Sequence, residues 1–101
     1  MTLRTKDGQA LHDSFVASVM SVLGGRGISK IYADLPNFAK PATINGHIPD
    51  IIAYWPDGRM LIVEVETRET ADTIHTRFQH SAFAAYALQN QNVRFENILA
   101  E

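Results

Sequence analysis

The chain has no cysteine, a single tryptophan and no surplus of positive charge. Without cysteine there is neither a disulfide framework nor a zinc-thiolate site. No segment approaches the roughly 18 consecutive apolar residues of a membrane span, and the opening Met-Thr-Leu-Arg-Thr-Lys-Asp-Gly lacks the apolar core of a secretory signal. The expectation is a cytoplasmic protein with no membrane contact. Nine Lys and Arg against eleven Asp and Glu leave a net charge of −2, so the chain does not advertise the basic field with which many proteins attract phosphate. Its cations are scattered at Arg4, Lys6, Arg26, Lys30, Lys40, Arg59, Arg68, Arg77 and Arg94. Folding or dimerisation could still gather some of them.

What is present suits one compact domain spanning residues 1–101, with 46% hydrophobic and 20% charged residues. Residues 7–23 carry Leu11, Phe15, Val19, Val22 and Leu23 at helical spacing, Thr5 or Asp7 as a cap, and Gly24-Gly25 as a stop. Ile28 to Leu35 reads as a strand, and the turn formers between Pro36 and Gly46 read as a loop. Ile48 to Trp55 and Met60 to Thr67 flank Pro56-Asp57-Gly58-Arg59, which predicts an antiparallel hairpin. The nearly continuous apolar run Met60-Leu-Ile-Val-Glu-Val marks the second of these strands as central and covered on both faces. A second helix is expected over Thr70 to Gln89, with Ala71, Ile74, Phe78, Ala82 and Ala85 inward, before a strand at Val93 to Leu99. The order is helix, three strands, helix, strand, which makes this an α/β chain.

Carboxylates are seldom buried unaided, because desolvation costs several kcal/mol unless a cation or hydrogen bonds compensate it. Glu64 and Glu66 stand two apart on the central strand and so share a face. A three-residue loop at Pro56-Asp57-Gly58 pairs Trp55 with Arg59 and sets Asp50 opposite Glu64 on that face. A two- or four-residue loop would turn Asp50 to the other side. Three converging carboxylates are hard oxygen ligands, suited to Mg²⁺ or Mn²⁺. The competing reading is an exposed strand end at which Glu64 and Glu66 pair with Arg59 or Arg68.

Pro49-Asp50 followed fourteen residues later by Glu64-Val65-Glu66 resembles the PD-(D/E)xK nuclease superfamily, and the element order fits that family's core across nearly the whole chain. The resemblance implies a restriction-endonuclease-like fold with a mixed central sheet and a metal-dependent nuclease that hydrolyses DNA, with endonuclease action expected. By position Asp50 and Glu64 would be metal ligands, joined by the Val65 backbone carbonyl. Glu66 departs from the pattern, since it occupies the slot of the family's lysine. It could serve as a further ligand or as the base; equally, its presence could mean lost catalysis, or a cation supplied by Lys40, Arg68 or Arg77.

The family often places a histidine or an acid on the first helix beside the site. On a helical wheel His12 falls within the apolar stripe whereas Asp13 turns toward solvent, so His12 is the inward candidate, as a site residue or as a hydrogen-bonded core histidine. His75, Gln79 and Phe83, four apart on the second helix, resemble a glutamine-then-aromatic element of some recombination nucleases, with Gln79 as the site residue. Packing against a neighbouring subunit would explain the same residues. A domain this small offers little surface to a duplex, so a homodimer or larger assembly is expected. The alternative is a catalytically degenerate, nuclease-fold binding or assembly module with a protein partner.

Overall fold

A computed structural model describes residues 5–100; Arg4 lies outside the described residues. Six elements follow one another: α1 (Lys6–Leu23), β1 (Lys30–Ala33), β2 (Ile51–Tyr54), β3 (Met60–Thr67), α2 (Ile74–Gln89) and β4 (Val93–Ala100). The strands form one sheet in the order β1-β2-β3-β4. β1, β2 and β3 pair antiparallel, whereas β4 lies parallel to β3 because α2 carries the chain back along the sheet. The architecture is therefore a four-stranded mixed sheet with a helix on each face.

Alternation along β3 divides the core in two. Val63 and Val65 face α1 and pack with Val16, Met20 and Leu23, together with Ile51 of β2 and Ala33 of β1. Met60 and Ile62 face α2 and pack with Phe83, Ile52 and Val93, and Ile44 reaches the same cluster from the loop before β2. β3, covered on both faces, is the central strand its apolar run predicts.

The turn between β2 and β3 sets the register. Gly58 adopts φ 92°, a conformation that L side chains rarely take, and its N–H donates to the Trp55 carbonyl at 3.0 Å. Trp55 N–H then reaches the Arg59 carbonyl at 2.9 Å, so the loop contains three residues. The Asp57 carboxylate accepts from the Arg59 N–H at 3.0 Å and from its Nε at 2.7 Å, and these donors hold the Asp57 carboxyl below its ordinary range. Pairing continues through Tyr54 with Met60 and Ile51 with Val63.

Both helices differ from the wheel drawn on hydrophobicity alone. Thr5 caps α1 by accepting from the Gly8 N–H at 3.0 Å. Its buried stripe is His12, Val16, Met20 and Leu23, while Leu11 and Val22 are 39% and 61% exposed. The apolar arc is broad enough for α1 to settle one residue farther round. α2 begins at Ile74 instead of Thr70, because Thr70 to Thr73 form a turn whose amides return to the Thr67 and Thr70 carbonyls. The Thr73 side chain then caps the helix by accepting from the Thr76 N–H. Thr76 and Phe83 are the buried positions of α2, whereas Ile74 and Phe78 are 71% and 66% exposed. The expected inner face is thus displaced toward the flank that carries Phe83.

Candidate metal centre

β2 starts where the carboxylates of β3 begin. Continuing the register by one pair sets Asp50 opposite Glu64, and two hydrogen bonds close that junction. The Asp50 N–H donates to Glu64 Oε1 at 2.8 Å, and the Val65 N–H donates to Asp50 Oδ2 at 2.7 Å. Each carboxylate thus satisfies an amide on the neighbouring strand. Val65 meets Asp50 through its amide.

His12 approaches from α1. It is 4% exposed, with Nε2 3.1 Å from Asp50 Oδ2 and Nδ1 3.0 Å from Asp13 Oδ1. Its inward position follows the wheel. Both ring nitrogens thus face carboxylate oxygens, which fixes the plane of the imidazole.

Glu64 and Glu66 are each 2% exposed. They do not form an exposed strand end, and Arg59 pairs with Asp57 at the far end of β3. Glu66 Oε2 accepts from Thr70 Oγ1 at 2.6 Å and faces Thr76 Oγ1 at 3.4 Å. Because Thr76 lies in the first turn of α2, Glu66 also sits beside the N-terminus of that helix. On the other side of Glu66, His80 Nε2 lies 3.7 Å from Oε1.

A polar cleft of about 160 Å³ opens over this end of the sheet, lined by Asp34, Asp50, Glu64, Glu66, Gln79 and His75, with Thr70 and Thr76 beside them. Gln79 lines this cleft. Phe83 is fully buried under the sheet. Of the cations proposed for the lysine role, Lys40 pairs with Asp34 of the cleft lining: its Nζ is 3.2 Å from Asp34 Oδ1 and donates to the Leu35 carbonyl at 3.0 Å. Arg68 and Arg77 have exposed side chains. His47 precedes β2 and stacks edgewise against His75 and Phe83, with both centroids at 6.2 Å.

Among the described residues, Glu64, Glu66 and His80 each present one donor atom within 4.8 Å of the others and could hold a metal ion. His80 was not anticipated. Its signal lay in a wheel centred on Phe83: Thr76, His80 and Phe83 form one stripe, but the exposed apolar residues Ile74 and Phe78 dominate the hydrophobic pattern. No helix among the described residues is long and apolar enough to cross a membrane. Comparison with protein-family models, curated proteins and solved structures finds no match for this chain.

Proposed function

We propose that this chain is a metal-dependent nuclease that hydrolyses DNA phosphodiester bonds as an endonuclease. The observation that carries the reading is the junction of Asp50 with Glu64, which the hairpin register sets at the mouth of a polar cleft that also contains Glu66. Hard oxygen donors buried together suit Mg²⁺ or Mn²⁺, and Glu64, with Asp50 and Glu66 on either side, would hold such an ion. When bound, a divalent ion polarises a phosphoryl oxygen and lowers the pKa of water. The protein's own part is to fix Glu64 through the Asp50 amide, to orient Asp50 through His12 and the Val65 amide, and to present Gln79 at the cleft. Glu66 stands in the slot of the family's lysine, and Lys40 is a cation tethered at Asp34 of the cleft lining. A homodimer belongs to the same proposal, because one small domain offers little surface to a duplex.

Incubating the purified protein with linear, supercoiled and branched DNA and either ion tests the reading. Wild type is expected to cut at least one of them, with Asp50→Asn and Glu64→Gln inactive though folded. The reading is abandoned if no substrate shows metal-dependent cleavage that requires Asp50.

A second reading keeps the nuclease-like fold without its chemistry, as an assembly module with a protein partner. It is favoured by the outer face of α2, where Ile74, Phe78 and Leu88 are 71%, 66% and 87% exposed. Self-association or partner capture that survives Asp50→Asn, with no cleavage by wild type, would support it.

A further inference from the structure

We propose that the ion of this cleft binds between Glu64, Glu66 and His80, with His80 Nε2 as a nitrogen ligand, and that this donor set selects Mn²⁺ over Mg²⁺. The inference rests on the nuclease reading only for the presence of an ion; it adds a ligand and a metal preference.

Two independent observations converge on His80. One atom from each of the three residues falls within a common 4.8 Å. Separately, His80 Nε2 is buried and has no hydrogen-bond partner among the described residues, although it lies 3.7 Å from Glu66 Oε1. That separation is too long for a hydrogen bond. It does match the spacing of two ligands on one ion, since bonds of roughly 2.1 Å place neighbouring donors about 3 to 4 Å apart. The ring also packs against Phe95, with centroids 5.6 Å apart, a contact that restrains its orientation. A buried ring nitrogen with no hydrogen-bond partner is costly in a folded protein, and coordination removes that cost.

Asp50 stands on the other side of Glu64. Its Oδ2 already accepts the Val65 N–H and faces His12, and its own N–H fixes Glu64 Oε1. In this arrangement Asp50 is a positioning residue for Glu64, and the third ligand comes from α2. A mixed oxygen and imidazole set differs from an all-oxygen set in the ion it prefers. Mg²⁺ demands oxygen ligands and keeps its waters, whereas imidazole suits first-row transition ions, of which Mn²⁺ most readily accepts carboxylates as well. The absence of cysteine leaves softer ions without a thiolate.

The test uses the whole chain without DNA. Mn²⁺ and Mg²⁺ affinities are measured by calorimetry, and the pulsed electron paramagnetic resonance spectrum of bound Mn²⁺ is searched for nitrogen hyperfine coupling. Wild type should show imidazole nitrogen coupled to Mn²⁺ and bind Mn²⁺ at least about tenfold more tightly than Mg²⁺. His80→Ala should lose the coupling and about tenfold or more in Mn²⁺ affinity, as loss of a ligand or its support does, while Asp50→Asn retains the coupling.

The wild-type spectrum decides the matter even if His80→Ala fails to fold. Absent Mn²⁺ binding, bound Mn²⁺ without nitrogen coupling, or equal affinities for the two ions overturn the proposal. So does coupling that persists in folded His80→Ala. Any of these together with Asp50-dependent cleavage in Mg²⁺ leaves the nuclease reading standing. Conversely, nitrogen-ligated Mn²⁺ without cleavage of any DNA would sustain the site and remove the nuclease.

Discussion

Even-numbered side chains of β3 face α2 along the whole strand, yet its two halves are covered in opposite ways. Met60 and Ile62 lie under Phe83 and beside Ile52 and Val93, an apolar contact on every side. Glu64 and Glu66, equally hidden from solvent, lie against Thr70, Thr76 and His80. The first half is what burial favours, at about 25 cal/mol for each Å² of apolar surface removed from water. The second half works against folding, since two like charges are desolvated side by side. Stability alone would extend the apolar pattern of Met60 and Ile62 through the next two even positions. The carboxylates are therefore best understood by what they can hold.

The largest expected effect breaks the apolar half. Phe83 is fully buried and central to its cluster, so Phe83→Ala should destabilise the protein by about 3–5 kcal/mol through lost burial and the cavity left behind. Urea unfolding followed by circular dichroism measures it. A loss no greater than that of an exposed position such as Leu88→Ala would mean that Phe83 does not anchor α2.

On the charged half the corresponding change is smaller and acts through a hydrogen bond. Thr70→Val keeps the shape but removes the hydroxyl that donates to Glu66 Oε2 at 2.6 Å. A buried acceptor left short of its donor costs roughly 1–3 kcal/mol. Combined with Glu66→Gln, the loss should be less than the sum of the two single effects, because the charge that needs the donor is gone. Additive behaviour in that double-mutant cycle would separate Thr70 from Glu66.

Glu66→Gln reverses the sign. An amide oxygen still accepts from Thr70 while the like charge beside Glu64 disappears, so in a chelating buffer this variant should be more stable than wild type by about 1 kcal/mol. Adding Mn²⁺ should stabilise wild type by mass action but stabilise the variant less. A variant less stable than wild type in the chelating buffer would show that Glu66 is a structural acceptor and not a strained ligand.

The same comparison explains what could be read from the sequence. β3 was legible to the residue, since Met60 to Thr67 is a continuous β-rich run, and so was the Asp50 register, because Gly58 fixes the loop length. His12 could be placed inward because the apolar positions around it mark one side of α1. α2 could not be read in this way. Hydrophobic periodicity assumes that a helix turns its apolar residues toward the sheet, but the sheet beneath the start of α2 is Glu64 and Glu66, which call for Thr76 and His80. Ile74 and Phe78 were left outside as a result, and the start at Thr70 was displaced because that hydroxyl is engaged with Glu66 and the Thr67 carbonyl.

The smallest effect lies at the margin of the apolar half, on Tyr54, which packs beside the Phe83 cluster. Burial, with Tyr32 and Tyr86 adding like-charge repulsion once ionised, raises its pKa above the ordinary 10.0. The folded protein therefore holds the Tyr54 proton to higher pH than the unfolded chain does. Its contribution is fully present below pH 10.0 and is lost as pH rises from there through the folded-state value. The unfolding midpoint of wild type should accordingly fall as pH is raised past that point, and Tyr54→Phe should flatten part of the fall while leaving neutral-pH stability nearly unchanged. An alkaline fall of the same steepness in Tyr54→Phe would assign it to other groups and remove Tyr54 from the pH response of the fold.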